Sequence, residues 1–338
     1  MKIAIHHKKQ GFSEHWIKYC QQNKISYKIV NCYDSDIIQQ LEDCDALMWH
    51  HHHANHTDTI FAKSLLFSLQ FSNKKVFPDF NTSWHFDDKI AQKYLFESLG
   101  LPCIKTHIFY TKKETLNWLE KTTFPKVFKL RGGAGSANVK LIQSKSEAKK
   151  IVNKAFGKGF DQFDRFNYFR DTIRKYKLNK VNKIDVFKAF ARIFISTSFA
   201  KLKGNEKGYV YFQDFIPDND CDIRIVVIAN KAYGFKRMVR ENDFRASGSG
   251  DIHFNSSEIP LSAIQLAIDT AKILKTQCTA FDFIFDTDGK PLIVEVSFGF
   301  SPLGRDNTVG YWDADLNFHS GVFNQYGWMV ENILAQTN

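Results

Sequence analysis

Short apolar runs and helix-period stretches alternate over the first 80 residues. Lys2 to Ile5, Tyr27 to Val30, Ala46 to Trp49 and Lys75 to Phe77 read as strands, and Glu14 to Gln22, Ile37 to Leu41 and Ile60 to Phe71 as helices. That alternation predicts a small, mostly parallel α/β layer, in which ligands gather at the carboxyl ends of the strands. Asp87 to Gly100 carries an acidic first turn and a glycine stop, which predicts a helix. A strand at Thr106 to Tyr110 follows, then Phe124 to Leu130, which carries Lys129 at its end and runs into Arg131-Gly132-Gly133-Ala134-Gly135-Ser136-Ala137-Asn138 and a further strand from Val139. A small-residue loop between antiparallel strands can lay backbone N–H groups over phosphates, although a glycine-rich hairpin turn would look similar. Later strands are expected at Tyr209 to Pro217, Asp222 to Ala229 and Lys231 to Met238, with a helix from Leu261 to Leu274.

The stretch Phe281 to Pro302 closes the pattern. Phe281 to Phe285 and Pro291 to Val296 read as two apolar strands joined by Asp286-Thr287-Asp288-Gly289, an Asp-Gly turn signal. Asp282 and Glu295 interrupt those runs, and a hairpin can set two such acids side by side. Two readings stay open here. The pair can hold a magnesium ion together with a nucleotide's phosphate oxygens, or each acid can be neutralised by Lys or Arg.

Composition adds class boundaries. With 338 residues, 43% hydrophobic and 24% charged, the chain can bury a sizeable core. No run approaches a membrane span and the N-terminus lacks a signal-peptide core, so a cytoplasmic location is expected. The six cysteines are scattered without a C-x-x-C pair, which predicts free thiols. The net charge of +10 is uneven: residues 151–208 hold 14 Lys or Arg against 5 Asp or Glu, +9 in that window. Phenylalanines at 160, 163, 166 and 169 are interleaved there at helical spacing, a stripe expected to face a core with solvated lysines opposite. His50-His51-His52-His53, with His56 beyond, leaves the end of a predicted strand. Imidazole clusters bind transition metals, but consecutive histidines point in different directions, so a polar loop facing a substrate is the expectation.

The order of these motifs, from Asp88 to Pro302, resembles the ATP-grasp superfamily, and within it carboxylate–amine ligases such as glutathione synthetase and the ligase that adds glutamates to a ribosomal protein. The resemblance implies an α/β and α+β architecture: a Rossmann-like domain at residues 1–86 preceding the ATP-grasp fold, a central lid subdomain at 87–210 with a basic aromatic insertion at 155–208, and a C-terminal subdomain at 211–338. It assigns Lys89 and Lys129 to the ATP phosphates, Gly133, Gly135 and Ser136 to the loop that closes over them, and Gln213, Asp214, Phe215 and Ile216 to the adenine. Asp222-Ile223-Arg224, Arg237 and Asp243-Phe244-Arg245 resemble the pattern whose arginines hold the carboxylate and its phosphorylated form, which makes Arg237 and Arg245 the catalytic candidates. Asp282, Glu295 and Ser297 fall on the metal ligands. Ser297 stands where the family has asparagine, Ser247 where an asparagine follows D-F-R, and Asn138 where the loop has a glycine.

The implied activity is ATP- and magnesium-dependent ligation, with manganese as an alternative ion. A carboxylate is activated as an acyl phosphate and joined to an amine. The basic insertion points to a large anionic acid such as a glycan uronic acid, a peptide or a lipid-linked precursor, and a homo-oligomer is compatible with the family. Two other classes are an ATP-grasp-like module that binds ATP without ligating, and a nucleic-acid binder using the basic segment, which leaves the acidic hairpin unexplained.

Overall fold

The N-terminal alternation folds, in the computed structural model of the chain, as a parallel sheet. Its strands are β1 (Lys2–His6), β2 (Ser26–Val30), β3 (Ala46–Met48) and β4 (Lys75–Phe77), in the order β2-β1-β3-β4. The structure describes all residues except 133–137, 162–164, 178–180, 195–203, 242, 301–307 and 337–338. The helix Phe12–Gln22 buries Phe12, Trp16 and Cys20, the i, i+4 and i+8 positions of one face. Asn55 and Asp79 cap the starts of His56–Phe71 and Phe80–Ser83 by accepting from the backbone N–H of Thr57 and Thr82.

The chain divides into two compact units: residues 1–86, 96–103 and 218–338 form one, and residues 87–95 with 104–217 form the other. The second unit is built on an antiparallel sheet of β5 (Thr106–Phe109), β6 (Lys126–Lys129), β7 (Lys140–Ile142) and β8 (Val210–Asp214), in the order β5-β8-β6-β7. Its core gathers Leu119, Phe128, Ile142, Val152, Phe160 and Phe212. Phe160 is thus a core residue, as expected; Phe163 lies outside the described residues. The basic stretch adds two helices packed on each other, Arg165–Lys177 and Lys183–Phe194.

The first unit carries a larger antiparallel sheet. Along it run β13 (Pro291–Ser297), β12 (Cys278–Phe285), β9 (Cys221–Ile228), β10 (Lys231–Met238), β14 (Tyr311–Trp312) and β15 (Phe318–His319), with β11 (Ile252–His253) paired to β10. The expected turn joins β12 and β13: the Asp286 carboxylate accepts from the N–H of Asp288 and Lys290 at 2.9 and 2.8 Å, and Gly289 takes φ +74°. Residues 96–103 reach this sheet, where Ile293 N donates to Pro102 O at 2.9 Å.

This sheet and the N-terminal layer share one core, in which Ile3, Ile5, Trp16, Met48 and Phe77 meet Val226, Ile228, Tyr233, Met329 and Ile333. Gln277, buried, ties them by hydrogen bonds. Its Nε2 donates to Val76 O at 2.8 Å, its backbone N donates to Thr82 Oγ1 at 2.8 Å, and its Oε1 accepts from Asp79 N at 2.9 Å. The C-terminal helix Gln325–Ala335 lies on Phe12–Gln22 so closely that a Cβ added at Gly327 would sit 2.5 Å from Tyr19 Cε2. The Tyr19 hydroxyl is itself bonded to Glu331, so the ring has little freedom to move aside. Gly327→Ala should therefore cost about 1–3 kcal/mol, an overpacking penalty, read from the urea midpoint of the purified chain.

Candidate active site

The candidate residues fall in both units, and each group is built from its own strands. In the second unit, Lys129 ends β6 and is buried, and its Nζ donates to Gln213 Oε1 at 2.6 Å. Gln213 in turn donates from Nε2 to Thr106 Oγ1 at 3.2 Å, so a row of buried polar groups fixes the lysine. Lys129 pairs in register with Tyr211, and Gln213 lies two residues further along β8 on the same face. Lys89 is also buried; its backbone N donates to Arg131 O at 2.9 Å, just ahead of the glycine-rich loop. Asp88 caps the helix Lys89–Ser98 by accepting from Ile90 N and Ala91 N, while its other oxygen accepts from Arg131 Nε at 3.0 Å. The helix start and the loop's first residues are thereby held together. Gly133, Gly135 and Ser136 lie outside the described residues.

Asp214, assigned by resemblance to the adenine segment, has its carboxylate in another role. It accepts from Lys126 Nζ at 2.7 Å and lies 3.2 Å from His107 Nε2. Burial raises its carboxyl, but Lys126 outweighs that and holds it below the ordinary aspartate range. Lys126 was not singled out in the sequence; that it is Asp214's partner across β6 and β8 becomes visible only through the register. Phe215 and Ile216 follow directly after β8.

In the first unit the central strands carry a buried network of two acids and two arginines. Arg224 donates from Nε and Nη2 to the two oxygens of Asp282 at 2.6 and 2.7 Å. Arg237 donates the same way to Asp222, at 2.6 Å twice, and its Nη2 also lies 2.9 Å from Asp282 Oδ2. The register explains the geometry: Asp222 faces Arg237 across β9 and β10, Arg224 faces Asp282 across β9 and β12, and Asp282 faces Glu295 across β12 and β13. Burial pushes the Asp282 carboxyl up, yet Arg224 and Arg237 override it and hold it far below the usual range. Of the two readings of the hairpin, neutralisation by arginine describes Asp282 in this structure, with Glu295 beside it. Ser297, two residues on, accepts from Gly299 N at 3.2 Å.

Arg245 stands apart from this network and grips Asp243 of its own loop, Nη2 to Oδ2 at 2.6 Å. Arg240, buried and unremarked in the sequence, donates from Nε to Ser247 O at 3.1 Å and shapes the same loop. A Cβ at Gly248, where φ is +76°, would lie 2.7 Å from Arg240 Nη2, so glycine is needed there. The four-histidine run forms no single site. His50 stacks on Phe12 at 3.7 Å, His51 lies 4.8 Å from the Phe298 ring, and His52 Nδ1 accepts from Ala54 N. Burial drives the His51 imidazole down to about 3. His50 and His51 are thus buried within what the sequence predicts as a polar loop facing a substrate. Among the described residues, no three His, Cys, Asp or Glu side chains gather as metal ligands.

With this geometry in view, comparison with known proteins identifies the architecture. Residues 192–309 match the family model described as a RimK-like ATP-grasp domain. Among solved structures, a RimK domain ATP-grasp protein from Sphaerobacter thermophilus aligns over 99% of this chain and 100% of its own, at TM-score 0.57 and 15% identity. D-cycloserine synthetase DcsG aligns over 99% of each chain at TM-score 0.60 and 10% identity. D-alanine–D-alanine ligase from Bacillus anthracis covers 99% of this chain and 96% of its own at 0.54 and 15%. No curated protein matches the sequence. The chain has the ATP-grasp fold, α/β and antiparallel sheets included, as the motif order implied.

The buried network sets its own test. Arg237→Met would leave Asp222 without its bidentate partner and Asp282 with one guanidinium, at a cost of about 3–5 kcal/mol, the scale for breaking a buried ion pair. Urea denaturation measures it. Because Asp282 is held low, the stability it supplies is complete above an unfolded pKa near ~4 and is lost as pH falls through the lower folded value.

Proposed function

We propose that the chain is an ATP- and magnesium-dependent ligase that phosphorylates a carboxylate and joins the resulting acyl phosphate to an amine. A carboxylate does not react with an amine at neutral pH because oxide is a poor leaving group. Attack of the carboxylate oxygen on the γ-phosphorus breaks the bond to ADP. The amine then adds to the acyl carbon, the C–O bond to phosphate breaks, and the ammonium proton is released. Such a transfer is chiefly positioning and neutralisation of phosphate charge, and it requires no nucleophilic side chain.

The observation that carries this reading is Lys129, a buried cation at the end of β6 immediately before the small-residue loop, fixed by Gln213 at 2.6 Å. In it, Lys89 and Lys129 reach the phosphates, Gly133, Gly135 and Ser136 cover them, and the Gln213–Ile216 segment takes the adenine. Arg237 and Arg245 hold the acid and the developing oxyanion; a planar guanidinium suits both. Asp282, Glu295 and Ser297 would hold magnesium, whose chemistry is to neutralise the phosphate oxygens. Two carboxylates paired in register plus a hydroxyl two residues on are hard oxygen donors that fit this ion, with phosphate completing the set. Asp282, bonded here to Arg224 and Arg237, would join it by giving up one of those hydrogen bonds, which would free a guanidinium for an anionic substrate.

We further propose that the acid is large and anionic, supported by the +9 charge of residues 151–208. ADP release with a screen of acids and amines, followed by mass spectrometry of products, tests the reaction. Glu295→Gln should abolish turnover with the fold intact, and full magnesium-dependent activity in that variant removes the metal assignment. Lys129→Ala should weaken ATP binding by calorimetry together with turnover, since charge is lost in ground and transition states alike. Binding of ATP with no product from any acid leaves a nucleotide-binding module instead.

A further inference from the structure

The basic insertion joins the rest of the second unit through a narrow neck, and that neck also holds both ends of the small-residue stretch after β6. Its outgoing and returning segments meet at Phe160 and Glu206, whose backbone N–H groups each donate to the other's carbonyl, at 2.8 and 2.9 Å. Beside them Gly208 N donates to Ala155 O at 3.0 Å, and a Cβ at Gly159 would lie 2.6 Å from Glu206 O. The neck is seated on the core. Phe160 is buried, with its ring 5.0 Å from that of Phe128, the residue before Lys129.

From this neck, contacts run to Arg131 and to Asn138. The Arg131 N–H donates to the Tyr209 hydroxyl at 2.7 Å and to Glu206 Oε2 at 3.3 Å, and the hydroxyl in turn donates to that same carboxylate oxygen. Burial, and then Glu206, push the Tyr209 phenol up, so it keeps the proton it donates. At the other end Asn138, buried and at φ +57°, donates from Nδ2 to Asp161 O at 3.2 Å. The Asp161 carboxylate accepts from Arg165 Nη2 at 2.7 Å, and Arg165 Nη1 donates to Ile193 O at 3.2 Å. One chain of bonds thus links Asn138 to both helices of the insertion. Glycine would take this φ without strain, so what asparagine adds here is its side-chain amide.

We infer that Asn138, Glu206 and Tyr209 are positioning residues for the ATP phosphates, fastening both ends of the small-residue stretch to the neck of the insertion. The inference rests on the reading that this stretch covers the phosphates. Fixing both ends of a segment lowers the conformational entropy lost when its backbone N–H groups are ordered around an anion. Charge alone makes the opposite prediction for one of the three. Glu206 is a negative group beside a phosphate site, so its removal would tighten ATP binding by charge, whereas removal of an anchor weakens it.

Calorimetry of ATP binding to the full chain, in magnesium, tests it. Glu206→Ala should weaken binding about threefold to tenfold, the range for losing one hydrogen bond. Glu206→Gln loses the same charge but keeps an acceptor oxygen, so it should stay within about twofold of the parent. Asn138→Gly and Tyr209→Phe should each weaken binding by about the same factor as Glu206→Ala, with circular dichroism unchanged at the temperature of the measurement. The inference is overturned if the two Glu206 variants bind ATP alike, if Asn138→Gly or Tyr209→Phe binds as the parent does, or if affinity falls only in step with the folded fraction. A parent that binds no ATP overturns the ligase reading together with this inference. Binding by the parent that none of the variants alters overturns this inference alone.

Discussion

The placement of Arg237 is the constraint on which the central sheet of the first unit depends. A guanidinium buried between strands is tolerable only with its charge matched and its N–H groups occupied, and Asp222 and Asp282 do both. Arg224 supplies the matching charge for Asp282, so the four side chains sum to neutrality. Each member of the network thereby fixes the register of another strand: β9 to β10 through Asp222 and Arg237, β9 to β12 through Arg224 and Asp282. A slip of one residue in any of these strands would turn an unpaired charge into the apolar core, a penalty that enforces the alignment. The same alignment brings Glu295 alongside Asp282.

Much of this was legible in the sequence, for identifiable reasons. The helix Leu261–Leu274 falls between the expected limits because Pro260 begins it and the apolar spacing is regular. The N-terminal strands were visible because a parallel sheet covered on both faces is written as continuous apolar runs. Asp222 and Arg224, two apart, could be placed on one face of a strand by alternation alone. Their partners could not, because pairing across β10 and β12 depends on register, which no local pattern encodes. Lys126 and Arg240 were missed for the same reason. Each is one basic residue among many until the fold brings Asp214 or the Ser247 carbonyl to it.

The histidine run shows where composition misleads. Four adjacent imidazoles suggest one shared role, but at the end of β3 the chain turns so that successive residues meet different neighbours, Phe12 for His50 and Phe298 for His51. These two rings behave as aromatic packing surface. His51 in particular packs on Phe298, the residue after Ser297 at the end of β13, so the N-terminal loop and the end of the acidic hairpin are packed together within the first unit.

That shared packing bears on how the chain comes off the ribosome. The N-terminal layer emerges first, yet the side chains that complete its core, Val226, Tyr233, Met329 and Ile333 among them, belong to the last third of the chain. Gln277, which ties β4 and the following turn to the larger sheet, is likewise made late. Until then Trp16, Met48 and Phe77 have an uncovered side. The second unit, nearly contiguous in sequence, can close its own core while synthesis continues. The middle of the sequence can therefore fold before the unit that flanks it, and the N-terminal layer stays open to aggregation until the last third has been made.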